Sequence, residues 1–187
     1  MVPREGFVPA GAKKLAFSDI EVPIGEGERM WAPKIEARAL QALAVRKSDR
    51  VLEVGTGSGY LAALLAHRAA HVYSVELKAK LADAARANLA RHGAENVTLE
   101  VADGALGYGR WAPYDVIVLT GSVPVMPQSV LEQLAPGGRA FAVVGDAPVM
   151  SARLYTRTGG DAWRHADLFE TLLAPLANAE QPARFAF

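Results

Sequence analysis

Hydrophobic and polar positions along the chain switch repeatedly between a period near two and a period near 3.6. Val51, Leu52 and Val54, interrupted only by Glu53, form a short apolar run that predicts a buried strand. Gly55, Gly57 and Gly59 follow at once, and then Leu61, Leu64 and Leu65 with intervening alanines at helical spacing. Upstream, residues 33 to about 45 place Ile35, Ala39, Leu40 and Leu43 on one face and predict an amphipathic helix with Pro33 in its first turn. Downstream, residues 71–76 read as a strand ending in an acid. A helix over 78 to about 92 carries Leu81, Ala85 and Leu89 on one face and stops at Gly93. Residues 97–101 predict a third strand, which runs into Ala102-Asp103-Gly104. Residues 114–119 predict a fourth, so uniformly apolar that both of its faces should be covered. A helix over 127–134 and the turn Ala135-Pro136-Gly137-Gly138 lead to a fifth strand at 139–144. Strands and helices alternating in this way predict βαβ units, a parallel sheet and a Rossmann-like α/β sandwich. Beyond Pro148 the pattern changes. Residues 150–158 and 162–172 predict two antiparallel strands around Thr158-Gly159-Gly160-Asp161, a hairpin added at the sheet edge.

The first 29 residues fit neither period. They are rich in Gly and Pro and predict an irregular arm, although Phe7, Leu15, Phe17, Val22 and Ile24 imply that the arm packs on something. No repeat or second domain is evident, and 187 residues suffice for one domain burying roughly 70% of its unfolded surface. The balanced charge (20 basic and 20 acidic residues) offers no basic excess for nucleic acid and no polybasic segment for an anionic membrane. The chain has no cysteine, which excludes disulfides, Cys-ligated zinc and a thiol nucleophile. No secretory leader or membrane-spanning run is visible, so a cytoplasmic protein is expected. Oligomeric state is not encoded in any recognisable pattern, and residues 181–187 carry too little pattern to assign.

Candidate chemistry begins at the glycines. A dinucleotide fingerprint needs its third glycine where this chain has Tyr60, and no Gly-Lys-Ser/Thr ending marks a phosphate loop. The spacing is Glu53-x-Gly55-x-Gly57-x-Gly59, with Thr56 between the first two glycines. It resembles the first motif of S-adenosylmethionine (SAM) dependent methyltransferases. SAM has no phosphates, so the turn has to let a backbone pass close to the ligand. Its ammonium and sulfonium suit a nearby carboxylate. Glu76, about twenty residues after the glycines and followed by Leu77, is placed to accept from both hydroxyls of a ribose. Asp103, followed by Gly104, can accept from an adenine amino group. Three successive strands therefore end in ligand-competent residues at one edge of the sheet, where ligands of such folds bind. Each of these acids could alternatively cap a helix or face solvent. None of His67, His71, His92 and His165 is placed as a catalytic base, which favours an acceptor that is already anionic. Thr120, Gly121 and Ser122 follow the fourth strand, where substrate-proximal loops usually lie.

Five stretches together resemble the protein-L-isoaspartate O-methyltransferase family. They are Val2-Pro3-Arg4-Glu5-Gly6-Phe7-Val8-Pro9, Val22-Pro23-Ile24-Gly25-Glu26-Gly27, the glycine motif, Ala112-Pro113-Tyr114-Asp115, and residues 131–139. The resemblance covers residues 2 to 146, with a weaker tail. It implies a SAM-dependent O-methyltransferase that acts on a protein or peptide carboxylate, the isoaspartyl group of damaged proteins. It also implies a cofactor site at Glu53, Gly55, Gly57, Gly59, Glu76, Asp103 and Gly104. Family members usually carry further helical residues before Val2. After Gly27 they read Gln-Thr-Ile-Ser-x-Pro-His, whereas this chain reads Glu28-Arg29-Met30-Trp31-Ala32-Pro33-Lys34. Two small hydroxyls have become a guanidinium and an indole. Arg29 could pair an acceptor carboxylate, and Trp31 could stack on a flat acceptor or the sulfonium, or else anchor the arm. The alternatives are transfer to a different small-molecule or protein acceptor, and SAM binding without transfer.

Overall fold

The computed structural model describes residues 2–181. Nine strands and four α-helices follow in the order β1 Val22–Gly25, β2 Glu28–Met30, α1 Pro33–Leu43, β3 Arg50–Val54, α2 Tyr60–Ala66, β4 His71–Glu76, α3 Ala79–Arg91, β5 Val97–Val101, β6 Tyr114–Val123, α4 Gln128–Glu132, β7 Leu134–Asp146, β8 Val149–Gly159 and β9 Ala162–Glu170. Strands β3 to β9 form one sheet in the order β5-β4-β3-β6-β7-β8-β9. The strands from β5 to β7 are parallel, while β8 and β9 add antiparallel at one edge. This is the Rossmann-like sandwich with a C-terminal hairpin that the alternating periods predict.

The centre of the sheet is buried on both faces, since successive residues of β3 and β6 point to opposite sides and almost all are buried. Val51, Val116 and Phe141 face a layer containing Leu43 of α1 and Leu65 of α2. Leu52, Ile117 and Leu119 face the other layer, with Val130 and Leu131 of α4. The chain winds from β3 outward to β5, then returns to place β6 against the free side of β3. The strand order therefore reverses between β3 and β6, where Val54 and Leu119 are paired neighbours. A crevice opens at the carboxyl ends of strands at such a point.

Four elements differ from their sequence-based expectation, each for a long-range reason. β6 continues past Leu119 to Val123, because its register against β7 slips between Val118 and Ser122 and the chain then resumes pairing. Thr120 and Gly121 lie within that slip, an irregularity of the kind that re-aims backbone near binding sites. β7 begins at Leu134 because Leu134 pairs with Tyr114 and Arg139 with Val116, so the Gly-Pro turn is absorbed as an irregularity inside the strand. This also shortens α4 to five residues. The arm is not irregular throughout. It holds 3-10 turns at Arg4–Gly6 and Ala10–Leu15, and an antiparallel β1–β2 hairpin. Phe7, Val8, Val22 and Met30 are buried against Ala62, Ala63 and Leu89. Burying side chains of this size contributes roughly 1.5–3 kcal/mol each, which is enough to hold the arm on the domain. Among the described residues no helix is long and apolar enough to cross a membrane.

Candidate active site

The glycine turn is built by backbone need. Gly55 has φ 93°, and a Cβ on it would collide with the Thr120 hydroxyl. That hydroxyl donates to the carbonyls of Val54 (2.9 Å) and Gly55 (2.7 Å), tying β6 to the turn across the strand-order reversal. Gly57 N–H donates to Glu76 Oε2 at 2.8 Å, and Lys78 N–H to Glu76 Oε1 at 3.0 Å. The Glu76 carboxylate is thus fixed by two backbone donors at the end of β4, with lone pairs left for a diol. Asp103 is fixed similarly. Its Oδ1 accepts from Ala105 N–H at 2.9 Å, and its Oδ2 from the Asn178 side-chain amide at 2.7 Å.

Glu53 lies deepest and is fully buried. Its Oε2 accepts from the Ser74 hydroxyl, which is itself 2.6 Å from Thr56 Oγ1, while Oε1 has no partner among the described residues. Burial pushes this carboxyl up to about 8, against the lowering effect of the Ser74 hydrogen bond and with repulsion from Glu76 and Glu36 adding to the rise. A buried acceptor without a donor is costly. A ligand bringing an ammonium supplies what Glu53 lacks, and an adenosine supplies donors for Glu76 and Asp103. The residues present therefore fit SAM.

Glu53, the glycine turn, Glu76, Asp103 and Thr120 line one cavity of about 220 Å³ at the carboxyl edge of the sheet. Its other half comes from distant chain segments. The β1–β2 hairpin lies over the glycine turn and contributes Ile24, Arg29 and Met30. Its tip is tied to the start of α3, where Lys78 Nζ donates to Glu26 O at 2.7 Å and pairs with Glu28, and Lys80 pairs with Glu26 at 3.2 Å. Opposite the hairpin, residues 173–177 form a strap along the end of β6. Ser122 N–H donates to Ala174 O at 2.9 Å, Leu176 N–H to Ser122 O at 2.8 Å, and Ser122 Oγ to Leu173 O at 3.0 Å.

Of the residues singled out from sequence, Glu53, Gly55, Thr56, Gly57, Glu76, Leu77, Asp103, Gly104, Arg29, Trp31 and Thr120 come together around this cavity. Two do not. Gly59 faces Ala85 and Leu89 of α3, where it permits close helix packing. Ser122 is buried and spends its hydrogen bonds on the strap. Trp31 is a buried wall, its Nε1–H donating to Thr120 O at 2.8 Å and its ring 6.0 Å from Phe141. Arg29 is exposed at the mouth, and Lys34 pairs outside with Asp19 at 2.9 Å. The largest omission from the sequence-based set is Glu36, in the first turn of α1. It is 4% exposed, lines the cavity and pairs with the buried Arg4. The signal was an acid between Ile35 and Ala39 on an otherwise apolar stripe. Residues 173–177 gave no signal.

A Rossmann-like sheet with this glycine turn and these strand-end acids defines an S-adenosylmethionine-dependent methyltransferase. Comparison with known proteins narrows the class. The family model described as protein-L-isoaspartate(D-aspartate) O-methyltransferase matches residues 1–181, and the chain belongs to that family. A protein-L-isoaspartate O-methyltransferase of Methanoculleus marisnigri is 49% identical over 144 residues, 77% of this chain and 66% of that protein. Protein-L-isoaspartate O-methyltransferase 2 of Pelobacter propionicus is 42% identical over 180 residues, 96% and 80% of the two chains. Among solved structures, a protein-L-isoaspartate O-methyltransferase superposes with a TM-score of 0.82 at 28% identity, covering 93% of this chain and 58% of its own. A candidate family member from Plasmodium falciparum, solved with S-adenosyl-L-homocysteine, superposes with a TM-score of 0.80 at 20% identity over 94% and 86% of the chains.

Proposed function

We propose that this chain methylates a carboxylate of a protein or peptide, the isoaspartyl group named for its relatives, using SAM held between β3, β4 and β5. The observation that carries this reading is the single cavity running from Asp103 and Glu76, past the glycine turn, to Arg29 at the mouth. When bound, SAM supplies a methyl group on a sulfonium, and its transfer to a carboxylate oxygen gives a neutral ester and a neutral thioether with no proton moved.

The residues of the chain have three tasks. Glu76 and Asp103 hold the ribose and the base, and the turn Gly55-Thr56-Gly57 lets the ligand lie against backbone. Glu53 accepts from the ammonium. Trp31, Met30 and Leu173 wall the cavity with apolar surface and exclude water from the reacting atoms, a positioning and desolvation role. Arg29 is the one cation of the cavity lining without an ion pair among the described residues, and it receives the acceptor carboxylate. No general base is needed, because a carboxylate is already ionised at neutral pH. The setting in this reading is the cytoplasm.

The test is methyl-ester formation from SAM on an isoaspartyl peptide, with the matched aspartyl peptide as control. Turnover of the isoaspartyl peptide alone is expected. SAM binding without turnover of either peptide would mean that Arg29 and Trp31 serve another acceptor, or none.

A further inference from the structure

The acids that end β4 and β5 are held by different kinds of donor. Both donors on Glu76 are backbone N–H groups, from Gly57 in the glycine turn and from Lys78. On Asp103 only one is backbone, Ala105 N–H on Oδ1. The other is the Asn178 side-chain amide, 2.7 Å from Oδ2 and 75 positions further along the chain.

Asn178 is brought there by the strap. Leu176 N–H donates to Ser122 O at 2.8 Å, and Ala179 N–H returns to Leu176 O at 3.2 Å, closing a turn around Ala177 and Asn178. Asn178 takes the left-handed conformation, with φ 59°, which asparagine adopts more readily than most residues that carry a Cβ. Leu176 and Ala179 pack on the same apolar cluster as Ala102, the neighbour of Asp103. The backbone on either side of Asn178 is therefore anchored, while its own side chain is exposed and adds nothing to the core.

Resting on the SAM-binding reading, we propose that Asn178 is a positioning residue. By fastening the second oxygen of Asp103 it makes the site read the amino group of adenine and refuse a 6-oxo purine. A carboxylate with a donor on each oxygen has its plane fixed and acts only as an acceptor, and each oxygen keeps a lone pair for a ligand. Adenine presents a donor at its six-position. Hypoxanthine presents an acceptor there, and its donor lies one ring atom along, at N1. A carboxylate held by Ala105 alone could turn to follow N1–H, whereas one held at both oxygens cannot. A site built to pair with a ligand N–H rejects the analogue lacking it, because its own polar group is left unpaired. A bound base also shields the exposed Asp103–Asn178 pair from water, where a charge-assisted hydrogen bond counts for more.

The test is calorimetric titration of the full chain with S-adenosylhomocysteine and S-inosylhomocysteine, which differ only at the six-position edge of the base. The unaltered chain should prefer the adenosyl ligand. Asn178→Asp keeps the size of the side chain and turns its donor into an acceptor, and the preference should fall about tenfold. Asn178→Ala removes the donor without adding a charge, and the fall should be about fivefold. Circular dichroism should stay native in both variants, because Asn178 is exposed. Equal losses for the two ligands would reduce Asn178 to a brace for the strap and overturn the proposal, as would two unchanged affinities. If the unaltered chain binds both ligands equally, Asp103 does not read the base and the proposal falls with that assignment. If it binds neither, the cofactor reading itself has failed.

Discussion

The two halves of the cavity are built by different means. The cofactor half takes its groups from the ends of three strands, β3, β4 and β5, within about fifty residues of chain. It fixes them with short-range bonds such as Gly57 N–H to Glu76 and Ala105 N–H to Asp103. The acceptor half draws on β2, the irregular end of β6 and the strap, which meet only through long-range contacts. Trp31 reaches Thr120, and Leu176 reaches Ser122. A local site is carried by a motif and tolerates change elsewhere. An assembled site can be rewritten one segment at a time, and here β2 and the residue after it bring Arg29 and Trp31 to the cavity.

That contrast can be broken at several points. The largest effect belongs to Glu76→Ala, which removes two fixed acceptors. Affinity for SAM should drop about a hundredfold, since charge-assisted hydrogen bonds are worth about 1.5–3 kcal/mol each, while circular dichroism stays native. Unchanged affinity would remove Glu76 from the ribose. Next comes Gly121→Ala. A Cβ there would lie 2.6 Å from Leu176 Cα, so the strap must lift. Acceptor turnover should fall about tenfold, with SAM affinity changed less, because strain at a packed backbone contact is costly. Hydrogen exchange at the Leu176 amide, now held by Ser122 O, reports the cause directly, and undiminished protection would show the strap unmoved.

Arg29→Ala is more selective. The KM for the acceptor peptide should rise about fivefold, the worth of a partly exposed charge pair, with kcat and SAM affinity unmoved and partial rescue by Arg29→Lys. A change confined to SAM affinity would reassign Arg29 to the other half. The smallest effect is on stability. The carboxyls of Glu36 and Glu53 lie above their ordinary 4.5 in the folded chain, at about 8. The folded state therefore binds more protons than the unfolded one between those values. Their contribution is complete below about pH 4.5 and is lost as pH rises through about 8. Calorimetric melting of the ligand-free chain should fall across that window, and the fall should be shallower in Glu53→Gln. Identical pH profiles for the two chains would show that Glu53 is not raised.

Legibility in the sequence follows the same division. The parallel sheet and its strand-end acids could be read because β3 and β6, at its centre, are buried on both faces and spell their burial in Val, Leu and Ile. Gly59 was misplaced because a helix-packing glycine and a ligand-facing glycine look alike within Gly-x-Gly-x-Gly. Ser122 was misplaced because a register slip two residues earlier cannot be seen in composition. Glu36 and the strap were missed altogether. Their partners, Arg4 and Ser122, lie 32 and about fifty positions away, and nothing in a local window records such pairings.

The β1–β2 hairpin has a consequence for how the cavity breathes. Its root, at Val22 and Met30, is fastened by apolar burial, and its tip, at Glu26 and Glu28, by partly exposed lysine–carboxylate pairs. The two fastenings answer to different variables, since salt screens exposed charges while cooling weakens hydrophobic contact. The hairpin is therefore held by an ionic latch at its tip and a greasy anchor at its root. Raising the ionic strength should speed ligand exchange through the tip and leave the frame intact, whereas chilling should loosen the frame and leave the latch closed.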